Sequence, residues 1–490
     1  MSNYKEKIIA KDGNLVPVFN NGQLLYSKYN TEKDTEIFFQ SIQKSENLFI
    51  VIGGIGSALH IDKLINCEWI SKIIAIENDI ETLTFCRKNF DIEKIEKNPK
   101  VIFSTIDNLQ KIILENYNPI FYGDFSFITL RSWANNNQED IIKIQQIIAD
   151  TLDIVGSDFS TQAQFGRLWH RNIFQNLLLA EKISHVPTLP NPKDFEGVFI
   201  AAAGPSLDKE ILKLKKTQKH WFVISTDTAL SSLQKNGIIP QITITIDGQN
   251  ISRRHFMHNL SNKMILVADL SSSPVVTRRA LQKDVPIIFT INNHPLSQLI
   301  NQFQVKNKDS TLTFLNTGAG TVTSAALDFA NKMGFTNIWL AGCDFAYIDG
   351  KPYAKGTYFD DIFGYTQTRL NPIETSFSNL MLNNELIYEE KNKITTKRLQ
   401  AYKKTFEKYL SENTTKQHEN KIKYFSPKKD SYKSFINWYL TNLSEKEPFI
   451  STIIPLAAWK MKKNKSKNDF FSLIKLAYSL TVRYTNSHGK

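Results

Sequence analysis

Acidic and polar side chains follow the apolar runs in the middle of this sequence, at the points where β-strands would end. They are Asp227 after HWFVIST, Asp247 after QITITI, Asp269 after MILVA, Asn292, Asn293 and His294 after IIFTI, and Asp344 after IWLAGC. Parallel strands direct their carboxyl ends to one edge of a sheet, so we expect these groups to converge on a single rim. Clustered carboxylates repel one another, and such a cluster is typical of a functional site.

A stretch of small residues joins the first of these runs to a helical pattern. In GVFIAAAGPSL (197–207), Gly204 lets the main chain approach a ligand, Pro205 fixes the entry into the turn, and Ser206 stands at the helix start. Backbone N–H groups bared at a helix N-terminus favour an anion, and the expected anion is a nucleotide phosphate. The alternative is a plain strand-to-helix connection in which Ser206 is the N-cap.

The stretch NTGAGTVTSAALDFA (316–330) repeats this arrangement, with Gly318, Gly320 and Thr321 ahead of an alanine-rich helical pattern. Close packing of a helix on a sheet explains the alanines. It does not explain the glycines and hydroxyls together, which predict a second ligand-binding loop.

Two chemistries suit amide groups combined with carboxylates. In the first, a group is transferred from an activated nucleotide while a carboxylate or histidine removes a proton from the incoming hydroxyl. In the second, aspartates hold Mg²⁺ during phosphoryl transfer, and no GxxxxGK[ST] motif is present to indicate a P-loop enzyme. The residues leave the base open among four candidates, Asp227, Asp247, Asp344 and His294.

The elements that must position these residues form an α/β fold. Apolar runs alternate with helix-period runs over residues 196–368, which predicts a doubly wound, Rossmann-like parallel sheet. A smaller Rossmann-like domain is predicted over 1–155 and a helical connector and linker over 156–195. A mostly helical C-terminal region over 369–490 contains one strand-like run, KIKYFS.

The first block has a glycine-rich turn of its own. VIGGIGSALHIDKL contains Gly53, Gly54 and Gly56, and Glu77 ends the next strand, as in enzymes that bind a ribose through an acidic residue. This block also resembles spermidine synthase and related S-adenosylmethionine-dependent folds. The alternatives are a second nucleotide site and a fold kept for architecture or partner binding. Asp107 is either a further cofactor contact or a helix N-cap.

Composition is that of an ordinary globular protein of 490 residues with a net charge of +12. Its lysines are dispersed, which favours a solvated surface over a nucleic-acid partner. Cys67, Cys86 and Cys343 lack CxxC or metal-ligand spacing, so buried thiols are expected. No window is apolar enough to span a membrane and the start lacks a signal-peptide pattern, so we expect a cytoplasmic protein.

The motifs AAAGPSLD, STDTALSSL, ITITIDGQ, NTGAGTVTSAALDFANKMGFTNIWLAGCDFAY and DGKPYAKGTY, in this order, resemble the central domain of the motility accessory factor (Maf) flagellin glycosyltransferases. That domain is related to the MptE-like 6-hydroxymethylpterin pyrophosphokinases. The match covers about residues 195–360, and the flanking regions resemble the Maf termini more weakly.

The resemblance implies a sialyltransferase-like core that transfers a nonulosonic acid, of the pseudaminic or legionaminic type, from a CMP-activated donor to Ser or Thr of flagellin. The transfer would take place in the cytoplasm before export, and association with the flagellar export apparatus and oligomerisation are both compatible with it. The alternatives are diphosphate transfer from ATP to a pterin alcohol, with Mg²⁺, and a non-catalytic flagellin-binding accessory.

The resemblance also implies roles for particular residues. Those expected to bind the donor are Gly204, Pro205, Ser206, Thr226, Gly318, Gly320, Thr321, Gly342, Tyr347 and Tyr358, with Tyr353 on the same loop. Asp227 and Asp247 would frame the donor and Asp344 would close the rim. The family often has a histidine near AKG, where this sequence has Tyr353, so no base is inherited there.

Overall fold

The computed structural model describes residues 2–183, 187–257, 260–317, 321–383, 385–390, 392–413, 422, 430–464 and 469–486. The chain divides into two compact units. Unit 1 is Met1–Gln164 with Lys460–Lys467, and unit 2 is Phe165–Trp459 with Asn468–Lys490. This division is coarser than the four segments predicted from the sequence, whose boundaries stay predictions.

Unit 1 begins with an antiparallel hairpin, followed by a parallel sheet with strand order β5-β4-β3-β6. Its elements are β1 (Tyr4–Ile9), β2 (Leu15–Phe19), α1 (Thr31–Gln40), β3 (Leu48–Gly53), α2 (Leu59–Ile65), β4 (Ile70–Glu77), α3 (Ile80–Asn89), α4 (Glu93–Glu96), β5 (Val101–Thr105), α5 (Leu109–Asn116), β6 (Phe125–Thr129) and α6 (Arg131–Asn136). Every residue of β3 is buried, as expected for a central strand covered on both faces. The Rossmann-like pattern predicted here is confirmed.

The helical stretches predicted between the two α/β regions form one helix, α7 (Gln138–Ala180), of 43 residues. Its residues up to Gln164 belong to unit 1 and those from Phe165 belong to unit 2. Ile173, Phe174 and Leu177 in its last turns are buried in the core of unit 2.

Unit 2 is built on a parallel sheet with strand order β12-β11-β10-β9-β8-β7-β13. The elements of this region are β7 (Gly197–Ala201), α8 (Leu207–Thr217), β8 (Trp221–Thr226), α9 (Asp227–Lys235), β9 (Ile242–Thr245), β10 (Ile265–Asp269), α10 (Pro274–Gln282), β11 (Ile287–Ile291), α11 (Pro295–Lys306), β12 (Thr313–Phe314), α12 (Val322–Met333) and β13 (Ile338–Ala341). Strands β8 to β12 are added one after another on one side of β7, and the chain then returns to place β13 on the other side of β7. The topological switch point therefore lies between β7 and β13, where ligands of such sheets bind.

Helices cover both faces of this sheet, so alternate residues of the central strands are buried in different cores. Val198 and Ile200 of β7 pack with residues of α12, whereas Phe199 and Ala201 pack with residues of α8. The doubly wound α/β fold predicted from alternating patterns is confirmed.

The rest of unit 2 is mainly helical, with a small antiparallel sheet of order β14-β16-β15 that the sequence analysis missed. The elements of this part of the chain are β14 (Tyr347–Ile348), α13 (Tyr358–Thr366), α14 (Ile373–Leu382), β15 (Leu386–Glu390), β16 (Lys393–Thr396), α15 (Lys397–Asn413), α16 (Ser431–Asn442), α17 (Phe449–Asn464) and α18 (Phe470–Asn486). The residues of α17 from Lys460 onward belong to unit 1. The predicted strand KIKYFS lies outside the described residues, apart from Ile422. Within the described part of the chain, no helix is both long and apolar enough to cross a bilayer.

Candidate functional site

The seven strands of the large sheet in unit 2 are all parallel, so their carboxyl ends share one edge. From β13 toward β11, this edge presents Asp344, the Gly204–Ser206 turn, Asp227, Asp247, Asp269 and Asn292 in that order. The convergence of polar groups expected from the sequence is therefore present. Their roles in binding or catalysis stay predictions.

The turn at the switch point is held by the aspartate of the neighbouring strand end. Asp344 Oδ2 accepts the backbone N–H of Ser206 at 2.9 Å, and the Gly204 N–H donates to the Gly342 carbonyl at 2.8 Å. A Cβ on Gly204 would lie 2.3 Å from Asp344 Oδ2, so the close approach requires glycine. The anion at the start of α8 in this structure is thus a carboxylate of the protein.

Ser206 does not cap α8 through its side chain, so that interpretation is wrong. The reason is local geometry: Ser206 already has helical dihedral angles, with φ −62° and ψ −19°, which differ from the extended backbone that N-cap residues usually adopt. Ser206, Gly204 and Asp344 are all partly exposed. The turn that contains Ser206 is therefore not closed off from solvent.

Backbone geometry requires glycine at position 342. Its φ is +68°, and a Cβ at this position would lie 2.2 Å from the Ala202 carbonyl oxygen. Thr226, another predicted donor-binding residue, is buried and donates its hydroxyl to the Ala201 carbonyl at 3.2 Å. Both residues fix the strand ends beside the turn.

Asp227 and Asp247 lie close enough for their charges to interact. Asp227 is buried, and its carboxylate accepts the Thr245 hydroxyl at 2.9 Å and the Thr228 N–H at 2.7 Å. Asp247 is only partly buried and accepts the Gln249 N–H at 2.9 Å. Burial, reinforced by the charge of Asp227, raises the pKa of Asp247, whereas the Gln249 N–H and His255 act in the opposite direction. A raised pKa makes a carboxylate a stronger proton acceptor, which suits Asp247 to the role of a base.

The loop after β13 returns across this edge and brings tyrosines to the aspartates. Ala354 N–H donates to the Ala203 carbonyl at 2.9 Å, which anchors the loop beside β7. Tyr358 begins α13, and its ring meets His255 edge-on at 4.4 Å between centroids. Burial is the main cause that raises the pKa of Tyr358 to about 12, with contributions from Tyr353, Asp227 and Asp247.

Arg254 is also near Tyr358, since its charge lowers the pKa of that phenol. Tyr353 lies close to Asp227 and Tyr347, and burial raises its pKa. Tyr347 is partly exposed near Arg398. Phenol groups therefore lie near Asp227 and Asp247, Arg254 lies near the phenol of Tyr358, and groups of these types can donate hydrogen bonds to a leaving phosphate.

His294 caps a helix. Its Nδ1 accepts the Leu296 N–H at 3.2 Å at the start of α11, its ring is buried, and burial lowers its pKa to about 4. Neighbouring Asp269 is also buried, and burial raises its pKa to about 6. Asp269 Oδ1 accepts the Ser271 hydroxyl at 2.6 Å. These contacts give both residues a structural role, and they weaken the case for His294 as the base.

The second predicted loop is described only at its end. Thr321 accepts the Ser324 N–H at 3.3 Å and caps α12. Gly318 and Gly320 lie outside the described residues.

Asn172 and Asn176 on α7 are site-supporting residues that the sequence analysis missed. Asn172 Nδ2 donates to the carbonyls of Gly248 and Ser271 at 2.8 and 2.9 Å, and Asn176 Nδ2 donates to those of Leu270 and Ser272 at 2.8 and 2.9 Å. Both are fully buried. The available signal was a pair of asparagines one turn apart within an apolar helical run, because a buried amide needs partners.

A side chain of the protein occupies the N–H groups of the glycine-rich turn in unit 1. Glu77 accepts the N–H groups of Ile55 and Gly56 at 2.8 and 2.9 Å and the Tyr4 hydroxyl at 3.2 Å. Glu77 is completely buried, and burial raises its pKa. The groups expected to bind a ribose and phosphates are therefore paired with one another.

Apolar side chains also fill the space around this turn. Gly54 has φ +92°, and a Cβ there would lie 2.5 Å from the Trp133 ring, while a Cβ on Gly56 would lie 2.1 Å from Leu25. Gly53 also packs against Trp133. Asp107, the other proposed cofactor contact, is exposed, forms an ion pair with Lys143 at 3.2 Å and caps no helix. These observations favour the architectural interpretation of unit 1.

The three cysteines are free thiols; Cys86 is buried, whereas Cys67 and Cys343 are only partly buried, which corrects the expectation for those two.

Among the described residues, no group of three or more His, Cys, Asp or Glu side chains is arranged to hold a metal ion. A cavity of about 290 Å³ beside α10 is lined by Arg253, Phe256, Met257, Val275, Val276 and Arg279.

Comparison with known proteins gives matches that include the residues of this edge. Residues 171–350 match the family model described as 6-hydroxymethylpterin diphosphokinase MptE-like. A parallel α/β domain with polar strand ends is the general class, and within that class the central region is similar to MptE-like domains. The MptE-like part of the predicted resemblance is thus confirmed.

Curated relatives come from Treponema pallidum (strain Nichols). One uncharacterized protein is 29% identical over 253 residues, which cover 51% of this chain and 86% of that protein. A second is 34% identical over 140 residues, covering 29% of this chain and 66% of that protein. Among solved structures, the chain is similar to the MAf glycosyltransferase from Magnetospirillum magneticum AMB-1, with a TM-score of 0.48 and 13% identity over 100% of this chain and 87% of that one.

Proposed function

We propose that unit 2 is a nucleotide-dependent transferase of the Maf type, which transfers a nonulosonic acid from a CMP-activated donor to Ser or Thr hydroxyls of flagellin. The reaction would take place in the cytoplasm, before flagellin is exported. The observation that carries the proposal is the Asp227–Asp247 pair at the strand ends, with Tyr358 near both carboxylates and Arg254 near Tyr358.

The geometry suits such a transfer. Asp247, whose pKa burial raises, accepts the proton of the acceptor hydroxyl as the hydroxyl oxygen bonds to the anomeric carbon of the sugar. The bond from that carbon to the phosphate oxygen breaks, and CMP leaves with the bonding electrons. Arg254 and the Tyr358 hydroxyl stabilise the charge that develops on the departing phosphate.

Diphosphate transfer from ATP to a pterin alcohol is a second candidate, because the family model that matches residues 171–350 carries that description. It uses the same kind of donor, a nucleotide with a phosphate leaving group. A non-catalytic flagellin-binding accessory is the remaining alternative from the sequence analysis.

Intact-mass measurement separates the three. The full chain is incubated with flagellin and a CMP-nonulosonate, and in parallel with ATP, Mg²⁺ and 6-hydroxymethylpterin. Addition of one or more sugar masses to flagellin is the expected result. Diphosphate on the pterin supports the second candidate, and neither product, with flagellin still bound, supports the accessory role.

A further inference from the structure

Two arginines lie one helical turn apart at the end of α7 that belongs to unit 2. Arg167 and Arg171 are spaced i, i+4, so their side chains lie on the same face of the helix. Arg167 Nε donates to the Tyr484 hydroxyl at 3.1 Å, and its guanidinium lies 5.0 Å from the centre of the Trp459 ring. Arg171 Nε and Nη2 donate to Asn172 Oδ1 at 3.2 and 2.9 Å. Neutral partners thus hold both guanidinium groups in place.

A third arginine comes from α10. Arg278 Nε donates to the Pro274 carbonyl at 3.3 Å, which places the guanidinium along the first turn of α10. The residues just before this turn lie against α7, because Asn172 and Asn176 donate to the carbonyls of Ser271 and Ser272. Burial lowers the pKa of Arg171, Tyr484 opposes this change, and the positive charges of Arg167 and Arg278 lower the pKa further, so Arg171 interacts with both other cations.

No acidic side chain among the described residues forms an ion pair with Arg167, Arg171 or Arg278. Bringing three like charges together costs free energy unless an anion accompanies them. Each guanidinium also keeps N–H donors that the contacts above do not use. Planar forks of this kind bind carboxylate and phosphate oxygens in pairs. Arg167 and Arg171 are partly buried and Arg278 is exposed, so an anion from solution can reach the cluster.

The cluster adjoins the candidate site through a single side chain. Asn172, which accepts from Arg171, donates through Nδ2 to the Gly248 carbonyl, and Gly248 follows Asp247 directly. Asn172 therefore links Arg171 to the loops that follow β9 and β10.

We propose that Arg167, Arg171 and Arg278 form a binding site for an oxyanion of the substrate, either a phosphate or a carboxylate. That this oxyanion belongs to the activated donor rests on the proposed function. Its two sources are the carboxylate of an acidic sugar, which leaves the nucleotide phosphate at Arg254 and Tyr358, and the nucleotide phosphate itself, which would replace that assignment; both have the same recognition chemistry.

The test is a binding measurement that needs no turnover. Isothermal titration of the full chain with CMP supplies the phosphate, and titration with N-acetylneuraminate supplies a sugar carboxylate. Arg278→Gln is the first variant because Arg278 is exposed and its loss should not disturb folding. Arg171→Lys is the second, since it keeps the charge but loses the fork. We expect each variant to weaken binding of at least one probe by roughly tenfold.

Arg279→Gln is the matched control, because Arg279 is the next residue of α10 and donates to the Met257 carbonyl instead. Its affinity for both probes should equal that of the unsubstituted chain. The probe that loses affinity identifies the source of the oxyanion. Unchanged affinity for both probes in Arg278→Gln and Arg171→Lys overturns the proposal, as does an equal loss in Arg279→Gln. If the arginines bind a probe and no sugar is transferred to flagellin, the proposed function fails and the oxyanion site stands.

Discussion

The two glycine turns of this protein use the same contact in different surroundings. In each unit, a carboxylate from a neighbouring strand end accepts backbone N–H groups of the turn: Glu77 accepts those of Ile55 and Gly56, and Asp344 accepts that of Ser206. Residues 53–57 and Glu77 are all buried, whereas Gly204, Ser206 and Asp344 are partly exposed. Trp133 and Leu25 occupy the space beside the first turn.

The difference teaches that a glycine-rich turn after a strand does not by itself define a ligand site. What matters is whether side chains of the protein fill the space over the turn, as Trp133 does over Gly54. In unit 2 the loop that carries Tyr353 and Tyr358 lies beside the turn, and Asp247 remains partly exposed. We therefore expect substitutions in unit 1 to change stability and substitutions in unit 2 to change activity.

The largest effect is expected from Asp247→Asn. If Asp247 is the proton acceptor, the amide cannot take the proton, and kcat of sugar transfer should fall by about 100-fold or more. The variant should unfold at the same temperature as the unsubstituted chain, because Asp247 is only partly buried. Intact-mass time courses on flagellin and thermal unfolding measure the two quantities. Full activity would remove Asp247 from the mechanism.

The pH dependence of the reaction sharpens the same point. Only the ionised carboxylate accepts a proton, and burial raises the pKa of Asp247. The rate should therefore fall, as the solution becomes more acidic, at a higher pH than an ordinary aspartate would give. A profile of kcat/KM against pH measures this limb, and a limb at the ordinary aspartate value would contradict the assignment.

Glu77→Ala is expected to have the next largest effect, and it should be confined to stability. It leaves the buried N–H groups of Ile55 and Gly56 without an acceptor, which should cost about 3 kcal/mol in the free energy of unfolding. Denaturant unfolding monitored in parallel with sugar transfer measures both quantities. A large loss of transfer by folded Glu77→Ala would indicate a working site in unit 1.

Glu77→Gln is the matched variant, since it keeps an acceptor oxygen for these N–H groups. Burial raises the pKa of Glu77 above its ordinary 4.5, so the folded chain holds this proton more tightly than the unfolded chain. The resulting stabilisation is present below pH 4.5 and is lost as the pH rises through the higher folded value. The glutamine variant should lack this decline.

The smallest effect is expected from Ser206→Ala. Its hydroxyl caps no helix, so the free energy of unfolding should change by less than about 0.5 kcal/mol. If the hydroxyl donates to the donor phosphate, nucleotide binding should weaken by about 1–2 kcal/mol, measured by calorimetry with CMP. Unchanged affinity would leave the Ser206 hydroxyl without a role in binding.

Much of unit 2 could be predicted because its strands are apolar runs with polar ends. The runs around Ile200, Ile224 and Ile244 became central strands, and their parallel arrangement brought Asp227 and Asp247 together as expected. Short elements escaped prediction. The pair β14 and β16 consists of brief strands whose partners lie far apart in sequence, so no local pattern marks them.

Local sequence determined the alternation of strands and helices, the edge at which the carboxylates lie, and the positions of the glycine turns, because these follow from hydrophobic period and strand direction. Only the tertiary structure decided which turn is filled and which is open. Trp133 and Tyr4 reach the first turn from distant segments, and Asp344 reaches Ser206 from 138 residues away. Burial and pairing of this kind depend on contacts between remote parts of the chain, which no short window of sequence contains.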